Sequence, residues 1–183
     1  YKRQPLLIRR LVNLDLEKKP ALRFSRDMFL LSFYLRGIPF VDLVHLRKTD
    51  VKHNTIYYYR HKTRQQLSVH IESYAAQIIN RYKNEAASSP YLLLILSLTG
   101  EDGYRQYKSA LRLYNQHLHT LSKMLRLSIP LTSYVARHSW ATTAKDEGVA
   151  ISVISESLGH TSEKVTHVYL ASFDNNAMSK ANK

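Results

Sequence analysis

Ala136-Arg137-His138-Ser139-Trp140-Ala141-Thr142, followed by Leu158-Gly159-His160-Thr161 and then by Thr166-His167-Val168-Tyr169, is the stretch on which the reading of this chain turns. It brings an arginine, a histidine and a tyrosine into short succession, each in a distinct local context. That context carries the argument, because the chain holds nine histidines and thirteen tyrosines and most must be structural. An isolated one would mean little.

Composition supplies the frame. Lys and Arg number 27 against 14 Asp and Glu, a formal net charge of +13, which points to a polyanionic partner with nucleic acid first in line. Charge by itself leaves an incidental surface field open. At 183 residues and 44% hydrophobic content the chain suits one domain with a proper core. The absence of cysteine excludes a disulfide framework, a thiolate metal site and a cysteine nucleophile, and suits a cytoplasmic protein. The longest apolar run, around Tyr91 to Leu96, is far shorter than the roughly 20 residues that span a bilayer, and no signal peptide is evident. The chain opens on Tyr1 in a basic segment, so a longer protein with a further N-terminal domain is expected.

Outward from the opening stretch, periodicity predicts the elements. Ser25 to Leu46 reads as helical, with Ser25 as N-cap and Met28, Phe29, Phe33 and Tyr34 gathered on one side. Gly37 and Pro39 interrupt it, and a second helix carries Asp42, Leu43 and Leu46. From Val51 to Ile71 the period becomes two, which predicts a small antiparallel sheet with strands through Ile56–Tyr59 and Leu67–Ile71. Its tip, Arg60-His61-Lys62-Thr63-Arg64, is either a charged turn kept in solvent or a DNA contact through Arg60 and Arg64. A helix is predicted over Glu72–Asn84, a loop at Glu101-Asp102-Gly103, and then a long helix whose stripe runs Tyr104, Tyr107, Leu111, Tyr114, Leu118, Leu121 and Leu125. Arg105, Lys108 and Arg112 share another face of it, as a DNA-facing row or a solvated one. Thr132 or Ser133 caps a helix to Glu147, stopped by Gly148. A further helix buries Val153, Ile154 and Leu158, and a last element holds Val165, Val168 and Tyr169. Residues 171 to 183 read as a tail, disordered or docked on something else.

Cleaving a phosphodiester without a metal needs a nucleophile, cations for the non-bridging oxygens and an acid for the leaving 5′ oxygen. Tyr169 suits covalent attack at phosphorus. Arg137 suits bidentate binding of phosphate oxygens, which a lysine's point charge does not imitate. His160 suits a hydrogen bond to the same phosphate or removal of the phenol's proton. Lys62, on its hairpin, suits the general acid.

On these residues the chain resembles the catalytic domain of the tyrosine recombinases, the phage integrase family, over about Ser25 to Ala171. Arg137-His138 within Ala-Arg-His-Ser-Trp-Ala-Thr, Leu158-Gly159-His160 and Tyr169 nine residues later carry the likeness. Lys62 matches the family's hairpin lysine, since Leu67 to Ile71 forms the strand that follows it. The resemblance implies an α+β fold, mainly helical with a small antiparallel sheet. It implies DNA breakage and rejoining through a 3′-phosphotyrosyl intermediate, with no metal or other cofactor. Partners implied are double-stranded DNA and a homotetramer assembled on it, the free chain being monomeric. The segment from Phe173 onward would then dock on a neighbour.

Two departures from the family pattern stand out. The arginine expected two residues after Gly37 is Pro39, which leaves Arg36, Arg47 or neither to replace it; Asp42 matches the acid of this helix. The histidine expected three residues before Arg137 is Tyr134, a phenol that still donates a hydrogen bond. Such substitutions resemble integrases of mobile elements from Bacteroides-type bacteria, or mark a weakened enzyme. His138 reads as structural or as acting through a neighbour, His167 as incidental, and Trp140 as core. Two rival functions are a helix-turn-helix DNA-binding module over Ala144–Leu158 and a type IB topoisomerase, which relaxes supercoils without a defined site.

Overall fold

The computed structural model describes residues 5–171. In chain order its elements are helices α1 (Leu6–Val12), α2 (Pro20–Tyr34) and α3 (Phe40–His45), a 3-10 turn at Lys48–Asp50, strands β1 (Val51–Lys52), β2 (Thr55–Tyr59) and β3 (Gln66–His70), and helices α4 (Ser73–Arg81), α5 (Gly100–Met124), α6 (Val135–Asp146) and α7 (Ile151–Leu158). A last helical stretch, α8, covers 163–171. The expected architecture, mainly helical with a small antiparallel sheet, is the one found. No helix among the described residues is long and apolar enough to cross a membrane.

The sheet follows from alternation. Ile56 and Tyr58 of β2 face inward opposite Val69 and Leu67 of β3, while Tyr57, Tyr59, Ser68 and His70 face out. β1 and β2 join through His53 and Asn54, both left-handed at φ 48° and 56°, the backbone that a two-residue hairpin turn with the right twist demands. The longer β2–β3 loop holds Lys62 in solvent.

Helix α2 forms the centre of the main core, against α4, α5 and α6, with Met28, Phe29 and Leu31 fully buried. A smaller apolar cluster of Ala141, Ala144, Ile154, Leu158 and Leu170 ties α6, α7 and α8 together. Trp140 packs against both clusters, so its core assignment holds and it also joins the two.

Several expectations are corrected. Ser25 is not an N-cap: α2 begins at Pro20, whose fixed φ suits a first helical position, and Ser25 lies buried inside it with Oγ 2.8 Å from His117 Nδ1. Helix α1 escaped the sequence reading. The loop at Glu101–Gly103 is the first turn of α5, where the two acids favour the N-terminus. The α5 stripe is buried only from Tyr114 onward; Tyr104 is 58% exposed, because the helix's N-terminal end projects past the core. Helix α4 stops at Arg81. Tyr134, rather than Thr132 or Ser133, precedes the first turn of α6. Val153, expected to be buried, is exposed, since the small cluster accepts one narrow face of α7. The tail from Phe173 lies outside the described residues.

Candidate active site

Arg137 sits on the first turns of α6 and is almost wholly buried. Helix α6 comes this close to the α2–α3 turn because residue 37 is glycine: a Cβ there would lie 2.8 Å from the Arg137 Cα, and φ is +70°. The guanidinium is braced by carbonyls, Nη1 donating to Gly37 O at 3.0 Å and Nη2 to Leu158 O at 2.5 Å. Burial, and then the charge of Arg60, pull the Arg137 pKa down from its ordinary value.

His160 follows Gly159, whose left-handed φ of 64° closes α7 and turns the chain. Its Nε2 accepts from Arg137 Nη2 at 3.3 Å, so in the neutral ring Nδ1 donates to Thr166 Oγ1 at 2.8 Å. Burial, Arg137, Arg60 and Lys62 hold its pKa down at about 4. The expected phosphate donor is thus a neutral ring that accepts through Nε2. Thr166, fully buried one helical turn from Leu170, is a site residue that sequence reading missed; its i, i+4 spacing to Leu170 was the available signal.

Tyr169 stands between those two anchors on α8. Its ring stacks on His138 with centroids 4.2 Å apart and planes 10° from parallel. Tyr134 and His160 meet it edge-on at 5.7 and 5.5 Å. Burial, and then Tyr134, raise its pKa, while Arg137 opposes them. His138, buried and held near a pKa of about 3 by desolvation and by Arg137, is a neutral floor under the phenol. Tyr134, half-exposed, also lies edge-on to His138 at 4.7 Å.

The remaining candidates divide. Lys62 is exposed on the hairpin tip, close enough for its charge to act on His160, and Thr63 Oγ1 donates to Gly159 O at 3.2 Å, which ties that tip to the His160 turn. Arg36 is exposed in a left-handed backbone, φ 57°, and its charge reaches Tyr58. Arg47 is exposed and lies 6.0 Å over the Tyr91 ring. Arg64, Arg105, Lys108 and Arg112 are exposed, with Arg105 3.8 Å from Asp102 and Lys108 Nζ 4.8 Å over the Tyr104 ring. Arg60 departs from the expected surface row: it turns inward and donates Nη1 to Asp42 Oδ2 at 2.6 Å. Asp42 Oδ1 also accepts from the His61 amide at 2.9 Å, so α3 clamps the end of β2. An arginine followed by a solvent-facing His61 resembles any charged turn in sequence; only the fold shows it pointing at Asp42.

Residues 10–176 match the model of the phage integrase family. Among solved structures the chain is similar to XerA recombinase, at 19% identity and TM-score 0.59 over 86% of this chain and 59% of that one. It is also similar to XerH site-specific recombinase bound to palindromic difH substrate in a post-cleavage complex, at 14% and 0.65 over 96% and 49%. Tn1549 transposon integrase in complex with transposon right end DNA matches at 14% and 0.57 over 84% and 59%. The chain therefore spans about half to three fifths of these relatives. Among curated proteins none matches. The fold, the order of arginine, histidine and tyrosine around one buried guanidinium, and a family match over most of the chain lead to one conclusion: the chain belongs to the phage integrase family of tyrosine recombinases.

Proposed function

We propose that the chain is the catalytic domain of a site-specific DNA recombinase that cleaves and rejoins DNA through a 3′-phosphotyrosyl intermediate on Tyr169. The observation that carries this reading is the placement of Tyr169 against Arg137 and His160 by the buried neighbours Thr166 and Leu170. Arg137 binds the non-bridging oxygens of the scissile phosphate, and its departure from His160 frees Nε2. The phenol oxygen then attacks phosphorus, its proton passes to His160 Nε2, and the bond to the 5′ oxygen breaks. Lys62 gives that oxygen a proton, so the products are a tyrosine-linked 3′ phosphate and a free 5′ hydroxyl. Rejoining reverses each transfer. Tyr134 and His138 hold the phenol ring in line.

Arg64, Arg105, Lys108 and Arg112 contact DNA phosphates, and these contacts position the duplex without reading sequence. Double-stranded DNA is the partner, with four copies on two sites in the full reaction. The similarity to the Tn1549 integrase in complex with transposon right end DNA and to XerH bound to difH supports this partner class. The test is cleavage of duplexes from the junctions flanking the chain's own gene, with both ends of each product identified. The reading requires a blocked 3′ end and a free 5′ hydroxyl at one defined position. A free 3′ hydroxyl would refute it, and relaxation of any supercoiled plasmid without a defined site would favour the topoisomerase.

A further inference from the structure

We propose that Arg60 is the second phosphate-binding guanidinium of this site, standing where the α2–α3 turn supplies proline instead of arginine. The inference rests on the recombinase reading above. Four observations carry it. The Arg60 side chain is only 10% exposed and its Nη1 is held on Asp42 at 2.6 Å. Its Nε is buried with no hydrogen-bond partner, and a desolvated N–H of a charged group is costly until an acceptor arrives. It lies beside the turn that presents His160: a Cβ on Gly159 would meet Arg60 Cγ and Cδ at 3.4 Å, so glycine at 159 leaves room for it. The local charge is also unbalanced. Arg137 is braced by the neutral carbonyls of Gly37 and Leu158, which leaves Asp42 as the acid set against two buried guanidiniums. Buried positive charge without a counterion is unfavourable, and a phosphate monoanion between Arg60 and Arg137 removes the imbalance. That Arg60 bears on both partners is consistent with its lowering the pKa of Arg137 and of His160. Asp42 acts here as a positioning residue that keeps the fork aimed. Arg36 points into solvent and Arg47 lies over Tyr91, so neither shares this geometry.

The experiment uses the full chain and nicked duplexes that carry at the scissile position either the normal phosphodiester or a methylphosphonate, in which a neutral methyl replaces one charged oxygen. Wild type must first cleave the phosphodiester; if it does not, the recombinase reading fails and takes this inference with it. Given that cleavage, Arg60→Ala is expected to slow it by about a hundredfold, and the deficit should shrink to within about tenfold on the methylphosphonate, which needs one cation fewer. Cleavage of the phosphodiester at the wild-type rate would overturn the proposal. So would an equal deficit on both substrates, since a purely structural arginine is blind to the charge of the phosphate. Should Arg60→Ala lose its cooperative melting transition, Arg60→Gln, whose neutral amide can still donate to Asp42, carries the same comparison. Loss on the phosphodiester with recovery on the methylphosphonate supports the proposal, and parallel behaviour on the two overturns it.

Discussion

At the scale of single residues, the site is a buried guanidinium surrounded by neutral rings. Arg137 has carbonyl braces on two sides and His160 on a third, so on the proposed reading its replacement removes both a phosphate ligand and a strut. Arg137→Ala is expected to slow cleavage about a hundredfold, roughly 3 kcal/mol for a lost donor, and His160→Ala by at least about a hundredfold for a lost general base, as single-turnover rates on nicked duplex would measure. Arg137→Lys should recover little, because a point charge cannot span the same carbonyls. The two histidines also make stability depend on pH. His160 and His138, at about 4 and about 3, lie below the ordinary 6.5. The unfolded chain therefore binds more protons than the native one through this window, and stability rises with pH across it. It is complete above about pH 6.5 and is lost as pH falls toward 4. Stability should drop between pH 7 and pH 5, by on the order of 1 kcal/mol per histidine after allowance for solvent access, and the melting temperature should fall with it. His138→Gln and His160→Gln should each flatten that slope.

At the scale of elements, positions are set by close approaches. Gly37 lets α6 reach the α2–α3 turn, and its φ of +70° would strain any side chain. Gly37→Ala is expected to cost at least about 2 kcal/mol, from the left-handed backbone and from contact with the Arg137 backbone. Chemical denaturation would measure it, with cleavage falling in parallel because Arg137 moves. The same elements show how far sequence reaches. The strands were legible because Ile56, Tyr58, Leu67 and Val69 alternate cleanly, and α7 because Gly159 ends it. Val153 misled, since periodicity reports an apolar stripe but not the width of the cluster that receives it. Helix α1 was missed because seven residues are too few to show a period, although five of them are apolar. The convergence of Arg137, His160 and Tyr169 was legible from local context. The stacking of His138, the Thr166 partner and the inward turn of Arg60 were not, because each depends on two elements meeting in space.

At the scale of the whole molecule, charge would govern the approach to the proposed DNA partner. With a net charge of +13, binding should weaken steeply with salt, each phosphate neutralised adding about 0.9 to the slope of log K against log salt. Replacing Arg105, Lys108 and Arg112 together by alanine is expected to reduce that slope by on the order of 2 to 3, measured by fluorescence anisotropy. Melting temperature should change little, since all three are exposed. Charge can bring the duplex to the surface, but the proposed chemistry rests on one hydroxyl among thirteen tyrosines. The measurement that tests this most directly is covalent trapping on nicked junction DNA, with the SDS-stable adduct mapped by mass spectrometry to its residue. The account predicts a phosphotyrosyl link on Tyr169 that vanishes in Tyr169→Phe. A link on Tyr134 or any other tyrosine, or tight DNA binding with no adduct at all, would contradict it.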